Sequence, residues 1–144
     1  MSIKFINGKP YNNGDGMSNF EIIDMANKLN LPNFKYYMRD QIPKICKNNL
    51  ECGIINLDSI KNKGTHHCCY WKNGDDEIYY FDSFGNSAPR ELVKYLKHRP
   101  LCSSYAIQQF NDSNCSEWCL YVLNKLNKGE NFIDIILDIV NDKR

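Results

Sequence analysis

The sequence predicts an α+β fold in which a small mixed or antiparallel sheet packs against helices, with residues 1–144 forming one domain. One observation is a β-hairpin pattern in residues 65–81, and another is a pair of capped, amphipathic helices on either side of it. The length agrees, because 144 residues can bury roughly two thirds of their unfolded surface around a single core. No internal repeat or linker divides the chain.

Composition excludes several classes of function. The 18 Lys and Arg residues nearly balance the 17 Asp and Glu residues, so the net charge of +1 provides no general attraction for nucleic acid or an anionic membrane. The seven cysteines are an odd number, and the sequence has no signal-peptide pattern and no apolar run long enough to span a bilayer. We therefore expect an intracellular, reduced protein that does not contact membranes.

The N-terminal part is predicted to form an irregular segment, a helix and a strand. Residues 7–17 are dense in Gly, Asn and Pro. Ser18 and Glu21 have the spacing of a capping box, and Pro32 should end the helix near residues 29–30. A loop or edge segment, "KICKNN", then leads into "CGIINLD", an apolar run typical of a buried strand. The expected apolar stripe of the helix is Phe20, Ile23, Met25 and Ala26.

The hairpin pattern consists of two β-compatible runs, 65–71 and 77–81, separated by the turn signal "NGD". If Lys72 pairs with Asp76 around a three-residue turn, His66 lies directly opposite Asp82 on the same face of the sheet. A slip of one residue would place the two side chains on opposite faces.

Three helices and one strand are predicted after the hairpin. Residues 89–98 form a helix that Pro100 stops, and residues 104–108 can add one more strand. Asn114 and Glu117 have the spacing of a second capping box, so Cys115 occupies the first helical position of a helix that ends at Gly129. A last helix covers roughly residues 132–140, where apolar residues recur at helical spacing.

The position of Cys115 favours a nucleophile. A thiolate at a helix N-terminus is stabilised by unpaired backbone N–H groups and by the positive end of the helix dipole, and a neighbouring imidazolium adds to this. The alternative is a core thiol, since free cysteines are among the most buried residues. That interpretation is retained for Cys68, Cys69 and Cys119.

His66 and Asp82 would form the base and orienting pair that thiol chemistry needs, because a carboxylate fixes the tautomer of an imidazole and stabilises its protonated form. An exposed cross-strand pair with no catalytic role is the alternative. His67 should point to the other face, so we expect it to be structural.

A metal site and a cofactor are not expected. The run "HHCC" offers four possible ligands, but alternation along a strand sends them to two faces, so they cannot converge on one tetrahedral zinc ion. Spacings of the C-x-x-C type are absent from the sequence.

Three segments resemble the His, Asp/Glu and Gln…Cys blocks of the adenovirus-type cysteine endopeptidases, adenain and its relatives in virophages and polinton-like elements: "GTHHCCYW", "YFDSFG" and "IQQFNDSNCSEWCLYVL". The order His, acid, Gln, Cys is specific to this clan, and "MRDQIPK" and "ECGIINLDS" resemble the virophage and polinton branch. The resemblance implies a papain-like domain of adenain type.

Carried over by position, the resemblance makes His66 the catalytic histidine, Asp82 its acid, Cys115 the nucleophile and Gln108 the oxyanion-hole donor. Gln109 has the shorter spacing common in the SUMO-protease branch. Relatives usually have His-Trp and Cys-Gly where this chain has His66-His67 and Cys115-Ser116.

The resemblance also implies a function: cleavage of viral capsid or core precursor proteins during virion maturation, by a monomer in the virion and the infected cell, with the need for an activating peptide or DNA left open. A SUMO- or ubiquitin-like deconjugating protease of the same clan is the first alternative. The second is a catalytically weakened homologue that binds capsid protein as a scaffold, which is suggested by Ser116.

Overall fold

The computed structural model describes residues 17–58, 66–103 and 115–141, together with the backbone of residues 5–6 and 9–10. Its strands are β1 (Phe5–Ile6), β2 (Lys9–Pro10), β3 (Lys35–Met38), β4 (Leu50–Asn56), β5 (His67–Asn73), β6 (Glu77–Asp82) and β7 (Leu101–Cys102). Its α-helices are α1 (Asn19–Lys28), α2 (Arg90–Leu96), α3 (Cys115–Asn127) and α4 (Phe132–Val140).

Five strands form one mixed sheet in the order β3-β4-β5-β6-β7, which confirms the predicted α+β class. The central pairs, β4 with β5 and β5 with β6, are antiparallel, whereas the outer strands β3 and β7 run parallel to their neighbours. The C-terminal ends of β3, β4 and β6 therefore meet the N-terminal end of β5 at one edge of the sheet. We call this edge, marked by Met38, Asn56, His67 and Asp82, the site edge.

The sheet is covered on both faces, as the continuous burial of β4 and β5 indicates. On one face, Cys69, Trp71 and Phe81 pack in a cluster with residues of α1, α3 and α4. On the other face, Cys68 and Tyr80 belong to a cluster that includes α2. Side chains that alternate along β5 thus enter two different layers, the α3 side and the α2 side.

The hairpin register differs from the prediction by two residues. Lys72 pairs with Ile78 rather than with Asp76, and the three-residue turn starts at Gly74, whose φ of 73° suits glycine. Cys68, not His66, is therefore directly opposite Asp82. Since the side chains of a strand alternate with a period of two, this shift leaves His66 and Asp82 on the predicted common face.

Helix α1 begins and ends as predicted, but its buried face differs. Ser18 caps it, with both hydrogen bonds of the capping box to Glu21 present. The buried residues are Ile22 and Ala26, while Phe20 is 78% exposed. Ile23 is also exposed, so the predicted stripe was wrong at Phe20 and Ile23 and right at Ala26, with Met25 partly buried beside it.

The other helices follow the prediction closely. Helix α3 starts at Cys115 and is followed by Gly129 in a left-handed conformation with a φ of 88°. Helix α4 has the predicted bounds, and α2 lies within the predicted 89–98. The predicted strand 104–108 and the cap residue Asn114 lie outside the described residues.

Strand β3 was not predicted, nor were β1, β2 and β7. The sequence of β3, "KYYM", is short, and its burial is intermediate at every position, so it has no alternation to detect. Strand β2 falls inside residues 7–17, which were expected to be irregular. Two-residue strands such as β7 are formed by pairing with a neighbour and leave no local pattern.

A buried carboxylate ties α2 to the sheet. Glu51 accepts hydrogen bonds from the hydroxyl groups of Tyr70 at 2.5 Å and Tyr95 at 2.6 Å, and from the side-chain amide of Asn48 at 2.8 Å. A buried polar side chain is tolerated when its hydrogen bonds are made within the protein in this way. Gly53 leaves room for the Tyr70 ring, because a Cβ atom there would lie 2.6 Å from a ring carbon.

Within the residues that the structure describes, no helix combines the length and the apolar character needed to cross a bilayer.

Candidate active site

His66 and Asp82 form a close pair at the site edge. Nε2 of His66 lies 2.7 Å from Oδ1 of Asp82, which is fully buried, whereas the His66 side chain is 17% exposed. The sequence folds this way locally because Asp82 ends β6 and His66 immediately precedes β5, so both are held by the hairpin. The structure thus brings together the two residues that the sequence suggested as base and orienting acid.

A turn after β6 fixes the carboxylate. The backbone N–H of Phe84 donates to Oδ1 of Asp82 at 2.8 Å, and the N–H of Gly85 donates to the Asp82 carbonyl oxygen at 2.8 Å. Gly85 has a φ of 81°, a conformation that favours glycine. The Phe84 ring stacks on the His66 imidazole with centroids 4.0 Å apart. Phe84 therefore holds both members of the pair, a role that sequence reasoning missed.

The surroundings of His66 favour its protonated form. Burial alone lowers the pKa of His66, but the hydrogen bond and charge of Asp82, together with the nearby Cys115 sulfur, outweigh burial and raise the pKa to about 9. Part of this rise comes from Cys115, whose sulfur acts on the His66 ring through a hydrogen bond and through its charge. The thiol and the imidazole therefore lie next to each other.

Cys115 occupies the first position of α3 and is 2% exposed. Its sulfur accepts a hydrogen bond from the backbone N–H of His67 at 3.2 Å, and Nδ1 of the same histidine lies 3.8 Å away. Helix α3 packs against β5, which brings the helix N-terminus to the site edge. The thiol therefore lies next to the start of β5, where the successive residues His66 and His67 point to opposite faces of the sheet.

His67 makes contacts that the sequence did not predict. Its side chain does point to the face opposite His66, because it pairs with Asn56 on the α3 side. However, that face is the one from which Cys115 approaches, so the His67 ring contacts the sulfur. Its Nε2 atom lies 3.0 Å from the hydroxyl group of Tyr36. The alternation of side chains along a strand could not predict this contact, because it does not show where α3 packs against the sheet.

Ser116 is buried rather than presented at the approach to the sulfur. Its hydroxyl group donates to Oε1 of Glu117 at 2.9 Å, and both residues are nearly inaccessible. Burial raises the pKa of Glu117, although the hydrogen bond from Ser116 lowers it in part. The serine that stands where relatives usually have glycine therefore has a partner of its own.

The prediction that some cysteines are core thiols can be compared with their burial in the structure. Cys68, Cys69 and Cys119 are buried, as expected, while Cys46 and Cys102 are half-buried. The described part of the chain contains no group of three or more His, Cys, Asp or Glu side chains placed to hold a metal ion.

Gln108 and Gln109 both lie outside the described residues, so the oxyanion-hole position is not part of the observed geometry. What the described residues assemble is a thiol, an imidazole held by a carboxylate, and a second imidazole on the sulfur. A protonated imidazole next to a thiol at a helix N-terminus can sustain a thiolate nucleophile and supply a proton to a leaving group.

No model of a known protein family matches this sequence. No curated protein matches it either. Among solved structures, it is similar to the crystal structure of ASFV pS273R protease, with a TM-score of 0.57 and 18% sequence identity over 90% of this chain. The crystal structure of Se-Met ASFV pS273R protease gives the same TM-score and the same coverage, with 15% identity.

The chain spans 66% of the length of these structures. Structural similarities at sequence identities this low show only that the folds are shared. Together with the five-stranded sheet and its helices, they show that this chain shares the α+β fold of ASFV pS273R protease.

Proposed function

We propose that this protein is a cysteine endopeptidase with Cys115 as nucleophile and His66 as its acid–base partner. The observation that carries the proposal is the close pair of His66 and Asp82 at the same sheet edge as the first residue of α3. The similarity of fold to ASFV pS273R protease supports it.

In the proposed mechanism, the Cys115 thiolate attacks the carbonyl carbon of a peptide bond. The carbon–nitrogen bond then breaks as protonated His66 gives its proton to the leaving amine. His66 next removes a proton from water, which hydrolyses the thioester and frees the sulfur. Asp82 keeps the imidazole oriented and stabilises its charge throughout.

The developing oxyanion would be held by the Gln108 side chain and the backbone N–H of Cys115. The role of Gln108 is proposed from its position in the resemblance alone. The role of the Cys115 N–H is proposed from the position of this residue at the start of α3, where backbone N–H groups point out of the helix.

The proposed substrates are capsid or core precursor proteins of a virus, cut during maturation, with the enzyme acting as a monomer in the virion and the infected cell. The segments "GTHHCCYW" and "YFDSFG" support the adenain-like assignment, and their neighbours "MRDQIPK" and "ECGIINLDS" support the virophage and polinton branch.

The test is to incubate the purified chain with the capsid proteins encoded beside its gene and to map new termini by mass spectrometry. We expect new termini with the parent protein and none with Cys115→Ser. Cys102→Ser is the matched control, because Cys102 is half-buried on β7 and should not affect cleavage. Intact capsid proteins, with cleavage only after the terminal glycine of a ubiquitin-like modifier fusion, would favour the deconjugating alternative.

A further inference from the structure

The side chains on the α3 side of the site edge form a chain of polar contacts that ends on the Cys115 sulfur. Asn56 ends β4 and pairs with His67 at the start of β5, while Tyr36 on β3 pairs with Ile54. Paired and alternate positions of neighbouring strands share a face, so Asn56, Tyr36 and His67 lie together on this side. None of the three belongs to the catalytic set that the sequence suggested.

The direction of these contacts can be derived from Asn56 outward. The side-chain oxygen of Asn56 accepts a hydrogen bond from the backbone N–H of Asp58 at 3.0 Å, and the Asn56 side chain also hydrogen-bonds to Tyr36. The hydrogen bond from Asn56 accordingly lowers the pKa of Tyr36, as donation to the phenol oxygen does, although burial is the larger effect and raises this pKa overall. Tyr36 thus stays protonated at neutral pH.

Because the Tyr36 oxygen accepts from Asn56, its single O–H proton can be donated to His67. Nε2 of His67 lies 3.0 Å from this oxygen, so it is the atom to which this proton would be donated. A neutral imidazole that accepts at Nε2 carries its proton on Nδ1, which is the atom 3.8 Å from the Cys115 sulfur. The backbone N–H of His67 points at the same sulfur.

We propose that His67 is a second catalytic residue, held by Asn56 and Tyr36 as the neutral Nδ1-protonated tautomer, so that its ring and its backbone both donate hydrogen bonds to the Cys115 thiolate. Asn56 and Tyr36 are positioning residues. The proposal rests on the function proposed above, since it assigns a further group to the same nucleophile. It gives the sulfur two donors that do not depend on the charge of His66.

Few other groups near the sulfur can titrate with it. Burial raises the pKa of Cys68 and that of Cys119 well above the usual range of thiols, so both stay neutral. Asp82 is engaged by His66. The titratable groups that interact with the sulfur are His66 just before β5, His67 and Cys68 at the start of β5, Tyr36 from β3 and Cys119 from α3 itself.

The experiment measures the alkylation rate of Cys115 by iodoacetamide as a function of pH, by mass spectrometry of the Cys115 peptide in the full-length protein. In Tyr36→Phe, the His67 ring loses the proton donor that fixes its tautomer. We expect the midpoint of the Cys115 profile to move to higher pH and the rate below the midpoint to fall by about tenfold, the size of one charge-assisted hydrogen bond.

Tyr37→Phe is the matched control, because Tyr37 lies next in the strand on the α2 side, where its ring meets Tyr95. It should leave the Cys115 profile unchanged. A second variant, His67→Phe, should shift the profile at least as far as Tyr36→Phe, and the double variant Tyr36→Phe/His67→Phe should shift it no further than His67→Phe alone. A Tyr36→Phe profile that matches Tyr37→Phe would overturn the proposal.

The outcomes also separate this proposal from the proposed function. A parent protein in which Cys115 reacts no faster than Cys46 at low pH would overturn both. A reactive Cys115 that is insensitive to Tyr36→Phe would leave the peptidase assignment in place and remove only the role of His67.

Discussion

His66 donates to Asp82 across 2.7 Å, and it does so in a hairpin whose register differs by two residues from the one that the sequence suggested. The contact persists because a two-residue shift returns every side chain to the same face. His66 then lies diagonally from Asp82, above Phe84, and the turn after β6 bends the carboxylate toward it. The contact between His66 and Asp82 therefore requires that both side chains lie on the same face of the sheet. It does not require that the two residues be directly paired across the hairpin.

The His66–Asp82 contact predicts a titration. The pKa of His66 is raised from 6.5 to about 9, so the pair contributes stability that is fully present below pH 6.5 and is lost as the pH rises through 9. In Asp82→Asn, we expect the NMR titration midpoint of His66 to fall and the turnover of peptide substrates to drop. The difference in unfolding free energy between the two proteins should close between pH 6.5 and 9. A His66 midpoint that is the same in both proteins would rule out this coupling.

Glu117 predicts a second pH dependence of stability, which arises from the burial of a carboxyl group and not from a histidine–carboxylate pair. Its pKa is raised from 4.5 because it is buried, so ionisation in the folded protein costs stability as the pH rises above 4.5. Glu117→Gln should therefore raise the melting temperature relative to the parent, by an amount that grows from pH 4.5 upward. Ser116→Ala is the counterpart, because it removes the donor to Oε1 and should lower the melting temperature. Equal shifts at all pH values in Glu117→Gln would contradict this account.

Much of the fold could be predicted from local signals. The capping box at Ser18 and the glycine at position 129 mark helix ends by chemistry that acts within a few residues. Strand β3 could not be predicted, because its pairing with β4 is long-range and its residues show no periodicity. The contact of His67 with Cys115 was missed for the same reason, since it depends on the docking of α3 against β5.

Close packing around Gly53 predicts a stability effect outside the site. A Cβ atom at this position would lie 2.6 Å from the Tyr70 ring and 2.8 Å from the backbone oxygen of Lys35. Backbone cannot move aside as a flexible side chain can, so Gly53→Ala should destabilise the protein by about 1–3 kcal/mol in chemical denaturation. Gly129→Ala is a useful comparison, because a Cβ there meets no atom within 4 Å and strains only the backbone at a φ of 88°. An unchanged denaturation midpoint in Gly53→Ala would contradict the predicted clash.

The adjacent glutamines give a prediction that depends on the sequence alone. In an extended segment, successive side chains point to opposite faces, so only one of Gln108 and Gln109 can reach the cleft. We expect Gln108→Ala to lower kcat by about 10²- to 10³-fold with little change in KM, as loss of an oxyanion donor does. Gln109→Ala should stay within about a few-fold of the parent, and the reverse result would move the site geometry toward the deconjugating branch.

The central claim is that Cys115 is the activated thiol of this protein, and labelling at neutral pH tests it most directly. Exposure alone would favour Cys46 and Cys102, which are half-buried, over Cys115, which is 2% exposed. We predict that limiting iodoacetamide nevertheless modifies Cys115 before the other six cysteines, and that His66→Ala removes this preference. Labelling that follows exposure, or protection of Cys115 until the protein unfolds, would contradict the account.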